Sequence, residues 1–170
     1  MLRFLILLLT AYLLSIFQSA LISELFPNFL KPDLMLIFIT YLGISPFLIA
    51  GAMLSFACGL FTDTFSGSPF GLFLLTYLSI FFLLKLLGKI LILGETPVVR
   101  LGLVALAIVL QLLLLVLLPW AFGIRESFSF PGAGWILPQA VTTCVACWPL
   151  FHLLKKLAAL PGFTIPQPMA

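Results

Sequence analysis

Residues able to do chemistry are few in this sequence. Cys144 and Cys147 form a Cys-x-x-Cys pair, a spacing that can hold a metal or form a redox disulfide. The pair lies in an apolar segment without a second ligand pair, where cysteines behave as small hydrophobic residues, so we interpret it as packing. His152, the single histidine, stands beside Lys155 and Lys156. We interpret it as an interfacial residue, because a proton relay would need a nearby acid within the apolar segments.

The densest run of polar residues covers residues 62–71, with the sequence TDTFSGSPFG. The Asp63 carboxylate is placed to accept hydrogen bonds from free amides at the start of the next helix, where the helix dipole favours negative charge. Gly67 and Gly71 permit turn geometry and close packing. Two interpretations stay open for this turn: a capped helix hairpin, or a contact with a partner or substrate. The candidate residues beside Asp63 are Ser66, Gly67, Pro69 and Gly71.

Two rows of small residues have the spacing of helix-packing faces. Gly51, Ser55 and Gly59 recur every four residues, and Asp63 continues the same row. Small residues let a second helix approach closely in a membrane. A second row is Ala11, Ser15 and Ser19. The rows could pack against each other, which we favour, or against a helix of another protein.

The composition decides which elements must position these residues. Of 170 residues, 64% are hydrophobic and 8% are charged, and the mean hydropathy is +1.33. A soluble domain carries about a quarter charged residues, so lipid must cover this chain. Because about 20 helical residues span a bilayer, the sequence predicts an all-α bundle of five or six helices. We expect one integral membrane domain over residues 1–160 and a short disordered tail over 161–170. The net charge of +3 is too small and scattered for nucleic-acid binding.

Ser/Thr-Pro pairs and apolar runs predict the helix boundaries. The first helix covers about residues 2–23, and we read it as an uncleaved span because no cleavage pattern follows it. The apolar stretch 34–62 is divided near Pro46 into helices of about 33–43 and 46–62. Ser45-Pro46, Ser68-Pro69 and Thr96-Pro97 each suit a capped helix start. The remaining helices are predicted at about 68–93, 97–118, closed by Pro119, and 135–157, bent near Pro149.

The distribution of basic residues predicts the topology. With six spans and a cytoplasmic N-terminus, the cytoplasmic side carries six basic residues and the outer side two, as the positive-inside rule requires. The cytoplasmic set is Arg3, Lys85, Lys89, Arg100, Lys155 and Lys156, and the outer set is Lys31 and Arg125. Reading 34–62 as one span with the N-terminus outside gives the same ratio; we favour six spans because the Met1 amine adds to Arg3. Lys85 and Lys89 are predicted to extend to the cytoplasmic headgroups.

One stretch of the sequence resembles a known family. Residues 31–34 read KPDL, an apolar hairpin follows, and then comes G-x7-GL-x2-D-x2-SGSP-x-G from Gly51 to Gly71. This pattern, which includes Asp33 and Asp63, resembles the bacterial rod shape-determining protein MreD. The resemblance covers most of the chain, but its motifs lie within residues 31–71, and the second half agrees in hydropathy.

The resemblance implies a fold and a set of partners. It implies a six-helix bundle like that of the substrate-binding subunits of energy-coupling-factor vitamin transporters. It also implies a non-enzymatic subunit of the cell-wall elongation complex, multi-pass in the bacterial inner membrane with both termini cytoplasmic. The implied partners are a single-span MreC-like protein, RodA-type and penicillin-binding wall synthases, the MreB filament and membrane lipid. No cofactor is implied.

A second hypothesis is a small-molecule-binding or transporter subunit. It requires a polar cavity open to the outside, and the candidate residues for such a cavity are Asp33, Asp63, Gln139, Arg125 and Glu126. Gln18, Gln111 and Gln139 lie in or near apolar segments, where a buried amide usually bonds a neighbouring helix. An enzyme is not expected, because the sequence contains no Ser/His/Asp set, metal-ligand spacing or glycine-rich phosphate loop.

Overall fold

A computed structural model describes residues 2–22, 31–66, 71–90, 97–121 and 133–158 of the chain. Six α-helices occupy these ranges, with no strand among them, which confirms the predicted all-α class. They are α1 (Leu2–Ile16), α2 (Leu34–Ile44), α3 (Leu48–Ser66), α4 (Leu72–Ile90), α5 (Pro97–Ala121) and α6 (Ala133–Ala158). The first helix continues as a π-helical segment over Phe17–Ile22.

The short helix α2 forms the centre of the bundle. It has 11 residues, nine of which are buried, and it contacts every other helix. A helix that is apolar on all sides is stable where other helices surround it. At 1.5 Å per residue it is roughly 16 Å long, much less than the thickness of a hydrocarbon core. The central helix is therefore a core element that the surrounding helices shield from lipid.

Residues 45–47 separate α2 from α3, as the Ser-Pro break predicts, but the capping differs from the prediction. The backbone N–H of Ser45 donates to the carbonyls of Tyr41 and Leu42, both at 3.1 Å, and its hydroxyl donates to Tyr41 at 2.9 Å. Ser45 therefore ends α2 instead of opening α3, because the last carbonyls of α2 need donors. The next helix begins at Leu48, two residues after Pro46.

The two helices run in opposite directions. Asp33 at the start of α2 and Ser66 at the end of α3 line the same cavity, so the chain reverses between them. Residues 34–66 are thus a helical hairpin and not one continuous helix. The end of the bundle that holds Asp63, where α3 ends and α4 begins, is called the Asp63 end below, and the opposite end is called the Lys85 end.

Two of the described helices are long and apolar enough to cross a membrane. They are Leu48–Ser66, with a mean hydropathy of 1.5, and Val98–Ala121, with 3.0. Shorter apolar helices cover Phe4–Ala20, Leu34–Ile44 and Leu72–Gly88. The six-helix arrangement is thus present in the described ranges, whereas six full crossings stay a prediction.

Two predicted boundaries around the polar turn are wrong. The third helix continues to Ser66, one turn beyond residue 62, so Asp63 lies in its last turn. The fourth helix begins at Leu72 and not at the predicted Ser68-Pro69 pair, which lies outside the described residues. Gly71 has a φ of +97°, a backbone conformation that a helix cannot contain. The positive φ therefore fixes the start of α4 after this glycine.

The bounds of α5 and α6 and the positions of their prolines agree in part with the prediction. The fifth helix begins at Pro97 as expected, but it continues to Ala121, so Pro119 lies inside its last turns. The sixth helix begins at Ala133 and contains both Pro138 and Pro149. Pro138 is the sixth residue of the helix, so its missing N–H removes one backbone hydrogen bond early in the helix. The predicted tail at 161–170 and the loop around residue 125 lie outside the described residues.

Candidate functional site

The carboxylate of Asp33 is the centre of a buried polar network at the Asp63 end. Asp33 is the N-cap of α2 and is 6% exposed. Its Oδ1 accepts the N–H of Leu36 at 3.0 Å, as an N-cap aspartate does. Its Oδ2 accepts Nε2 of Gln111, from α5, at 2.8 Å. Nε2 of Gln18 stands 3.5 Å from Oδ1 and adds a weaker bond.

Helices α1 and α6 join the same network. The Oε1 atom of Gln18 accepts the backbone N–H of Met35 at 3.2 Å. The N–H of Asp33 donates to Oγ1 of Thr143 at 3.1 Å, and that hydroxyl donates to the Gln139 carbonyl at 2.7 Å. Side chains or hydroxyls from three helices therefore fix the start of α2, and the bonds satisfy backbone groups that no water could reach in lipid.

The π-helical segment Phe17–Ile22 contains Gln18. A π turn is wider than an α turn and often occurs where a side chain serves a function. Here the Gln18 side chain reaches the first turn of α2.

A cavity of about 380 Å³ lies beside the Asp33 network. Its polar lining residues are Gln18, Asp33, Thr62, Ser66, Tyr77, Gln111, Gln139 and Thr143. Its apolar lining residues are Leu36, Phe73, Ile108, Leu112, Leu115, Val116 and Ala140. The volume is within the range of small-molecule sites, which are also mostly apolar with a few convergent polar groups.

Two residues of the cavity lining each carry a buried polar atom that has no hydrogen-bond partner among the described residues. Gln111 is 9% exposed, and its Oε1 has no partner there although its Nε2 bonds Asp33. Tyr77 is fully buried, and its hydroxyl interacts with Thr62 without the geometry of a hydrogen bond. Buried polar atoms are nearly always paired in folded proteins, so these two are candidates for contact with a ligand.

The second hypothesis named five candidate residues for a polar cavity, and two of them line the cavity observed here. Asp33 and Gln139 line it, whereas Asp63 does not. Arg125 and Glu126 lie outside the described residues. Sequence reasoning treated Gln111 only as an interhelical amide and missed its place beside Asp33, because the two residues are far apart in the chain.

Asp63 has a different role from Asp33. It is 3% exposed, and its Oδ2 accepts the N–H groups of Gly71 at 2.9 Å and Leu74 at 3.2 Å. Its Oδ1 accepts the N–H of Phe73 at 2.9 Å. The capping interpretation is thereby confirmed, since the carboxylate satisfies three free amides at the start of α4. A contact of this turn with a partner stays a prediction.

The other candidates of this turn are placed only in part. Ser66 is exposed at the end of α3, and Gly71 is partly buried in the turn before α4. Gly67 and Pro69 lie outside the described residues. Within this turn, the structure therefore accounts for Asp63 and Gly71.

The glycine row of α3 faces α4, not the first helix. A Cβ atom on Gly59 would stand 2.4 Å from the Cα of Leu74, and one on Gly51 would stand 2.7 Å from the ring of Phe81. Both distances are shorter than real carbon contacts. At Gly59 the neighbour is backbone, so only glycine allows the approach, whereas at Gly51 it is the end of a side chain that can shift. Ser55, between them, is fully buried, and its hydroxyl has no partner among the described residues. The row is used for packing inside the bundle.

The small-residue row of α1 is also turned inward. Ala11 and Ser15 are buried, at 0% and 4% exposure. Ser19 is partly buried in the π-helical segment, and its hydroxyl donates to the Ile16 carbonyl at 3.2 Å. The first helix contacts α3 through other residues as well, with the rings of Tyr12 and Phe61 at 5.5 Å.

At the Lys85 end, the lysine itself has a partner that the sequence did not predict. The Nζ atom of Lys85 donates to the carbonyl of Ser45, at the end of α2. The ammonium is attracted to the carbonyl at this helix end, and the extension of the side chain to lipid headgroups stays a prediction. The guanidinium of Arg100 lies 5.9 Å from the ring centre of Phe151. The side chain of Lys89 is not described.

The cysteines are placed without a metal site around them. Cys58 and Cys147 are buried and Cys144 is partly buried, and all three are free thiols. Within the described ranges, no three His, Cys, Asp or Glu residues are grouped so that they could hold a metal ion. His152 is exposed on α6.

Comparison with known proteins gives one match. The family model of the rod shape-determining protein MreD matches residues 1–158. No curated protein and no solved structure matches the chain significantly. The likeness to the substrate-binding subunits of energy-coupling-factor transporters accordingly stays a prediction.

Proposed function

This chain belongs to the MreD family, and from that membership we propose that it is a non-enzymatic subunit of the bacterial cell-wall elongation complex. In this proposal the protein determines rod shape by binding membrane partners, first among them a single-span MreC-like protein. The observation that carries the proposal is the extent of the family match, residues 1–158, which includes all six helices. The whole helical domain, and not one motif, is thus characteristic of the family.

The distribution of polar groups supports action through neighbouring helices. The buried acids Asp33 and Asp63 bond groups of the chain itself. The outward faces of the helices instead present large apolar side chains, many of them more than half exposed. Such faces contact lipid or the helices of other membrane proteins, so partner binding through the membrane is the activity that this surface suits.

The small-residue rows are poor candidates for the docking face of a partner. Gly51 and Gly59 are covered by α4, and Ala11 and Ser15 are buried. A foreign helix would therefore meet the large side chains of the outward faces. One strongly exposed position on each of four helices samples these faces: Leu9 on α1, Ile49 on α3, Val109 on α5 and Val145 on α6.

Site-specific photocrosslinking at these four positions tests the proposal. Each variant carries a photoreactive amino acid and is expressed with the MreC-like protein of the same bacterium. We expect a crosslink to that protein from one face or two adjacent faces, and none from Phe38, which is fully buried in α2. If no outward position reacts in a protein that is folded and inserted, direct binding of the MreC-like partner is wrong.

The larger complex and its location follow from the same proposal. We expect the protein in the bacterial inner membrane, multi-pass, with both termini cytoplasmic. Contact with RodA-type and penicillin-binding synthases and with MreB filaments would then occur through the assembled complex. Depletion should convert rods into rounded cells, and the full chain expressed from a plasmid should restore them. Rods of normal width after depletion would contradict a role in elongation.

A further inference from the structure

The polar lining of the cavity contains the Asp33 carboxylate, which only accepts hydrogen bonds, beside amide and hydroxyl groups that can donate or accept. The Asp33 carboxylate accepts bonds from Leu36, Gln18 and Gln111, which leaves part of its acceptor capacity open. The amide of Gln111 must turn its NH2 group to the carboxylate, since a carboxylate only accepts. Its Oε1, on the same amide, is therefore a second acceptor beside the first and has no partner among the described residues.

The charge of the lining is also one-sided. Among the described residues that form the wall, Asp33 is the one carboxylic acid, and there is no lysine or arginine. Its bonds come from neutral amides, which stabilise the carboxylate without cancelling its charge. In a low-dielectric site such an acid attracts a cation far more strongly than in water.

We propose that this cavity binds a primary ammonium group attached to a small apolar body. The ammonium donates to the Asp33 carboxylate, and the apolar body contacts the aliphatic side chains that α5 contributes to the wall. An ammonium has three donors and no acceptor, so it can bond the Asp33 carboxylate and also donate to amide or hydroxyl oxygens of the lining. The volume of about 380 Å³ is near the lower limit for ligand sites, which favours a compact molecule. This binding site is additional to the proposed partner binding and does not depend on it.

The test measures binding of 2-phenylethylammonium to the full chain in phosphatidylcholine nanodiscs by isothermal titration calorimetry. Two probes of similar shape serve as controls, neutral 2-phenylethanol and anionic 3-phenylpropionate. We expect the ammonium to bind at least about tenfold more tightly than the alcohol, because a charge-assisted bond is roughly twice as strong as a neutral one. The anion should not bind. No binding of the ammonium, or equal binding of the three probes, would overturn the proposal.

Variants of the cavity separate the ammonium contact from general apolar binding. Asp33→Asn keeps an acceptor for the N–H of Leu36, and so the N-cap, but removes the charge. We expect it to weaken ammonium binding roughly tenfold or more and to leave alcohol binding unchanged. Ala140→Leu fills part of the cavity without altering the acid, and should weaken both probes. Thr64→Ala, an exposed position outside the lining, should bind like the unmodified chain.

The proposal would also be overturned if the folded unmodified chain, Asp33→Asn and Ala140→Leu all bound the ammonium with the same affinity.

A further experiment identifies the natural source of the ammonium group. Nanodiscs containing phosphatidylethanolamine should compete with the probe if the ammonium belongs to a lipid headgroup, and should leave its affinity unchanged if it belongs to a free amine. Both results support an ammonium site, while loss of cell shape in separate depletion experiments reports only on the elongation complex.

Discussion

Asp63 Oδ2 accepts the backbone N–H of Gly71 at 2.9 Å and thereby ties the last turn of α3 to the start of α4. The same carboxylate accepts the N–H groups of Phe73 and Leu74. The Asp63 side chain is 3% exposed, so these hydrogen bonds are shielded from water. One acid thus replaces the carbonyls that the first turn of α4 lacks.

Removal of the Asp63 carboxylate should destabilise this helix pair. We expect Asp63→Ala to lower the free energy of unfolding by about 2–4 kcal/mol, because buried donors left unpaired cost about 1–3 kcal/mol each and part of that cost relaxes. The free energy of unfolding of Asp63→Asn should lie between those of Asp63→Ala and the unmodified chain, since an amide offers one acceptor oxygen instead of two. Unfolding in mixed detergent micelles measures how the unmodified chain and the two variants rank in stability. Thr64→Ala is the control, because Thr64 is exposed and its hydroxyl bonds only its own helix.

Close approach of α3 and α4 should make Gly59 intolerant of any side chain. A Cβ there would stand 2.4 Å from the Leu74 Cα, a backbone atom that moves only with the whole helix. We expect Gly59→Ala to cost about 1–3 kcal/mol by overpacking, and Gly59→Leu to cost more or prevent assembly. Gly102→Ala is the matched control, because its Cβ would meet nothing within 4 Å. Equal thermal midpoints of the Gly59→Ala and Gly102→Ala proteins would disprove the packing account.

The bond from Lys85 to the Ser45 carbonyl should stabilise the turn between α2 and α3. Lys85→Met keeps most of the apolar stem and loses the ammonium, so we expect a loss of about 1–3 kcal/mol, as for hydrogen bonds to charged groups. Lys85→Arg should retain much of the stability because it keeps a charged donor. Lys156→Met, at an exposed position on α6, is the control. Chemical unfolding in detergent measures these free energies. If Lys85→Met unfolded with the same free energy as the unmodified chain, the result would argue for a headgroup contact instead.

Labelling of single cysteines should establish the orientation of the bundle. Thr64→Cys at the Asp63 end and Lys156→Cys near the end of α6 are both exposed. In a background without the three native cysteines, we expect a membrane-impermeant maleimide to label the Thr64→Cys protein in intact spheroplasts. The Lys156→Cys protein should react only after permeabilisation, as the positive-inside rule predicts. The reverse pattern would place the N-terminus outside and contradict the proposed topology.

Local sequence patterns predicted those features that neighbouring residues cause. Asp63 caps the next helix because a carboxylate near free amides needs only a few residues of context. Pro97 opens α5 because its fixed φ and missing N–H suit a first helical position. The pattern of residues 31–71 also led to the MreD resemblance, which the family match over residues 1–158 confirmed.

Predictions failed or were incomplete where two signals of similar strength competed. Ser45 was expected to cap α3, but its hydroxyl and N–H bond the carbonyls of α2. Lys85 was expected to extend to headgroups, and its bond to the same helix end was not predicted. In each case a polar side chain has more than one available hydrogen-bond partner, and only the packed bundle determines which partner it meets.

By itself, the sequence determined that this is an apolar, all-helical protein, where most helices begin and end, and to which family it belongs. Only the tertiary structure decided that α2 is surrounded by the other helices, that the glycine row of α3 faces α4, and that Asp33 meets Gln111 beside a cavity. The physical reason is that composition and capping act over a few residues. In a chain apolar on nearly every face, hydrophobicity does not distinguish a helix side that meets lipid from one that meets protein, so shape and a few polar bonds between distant residues make that choice.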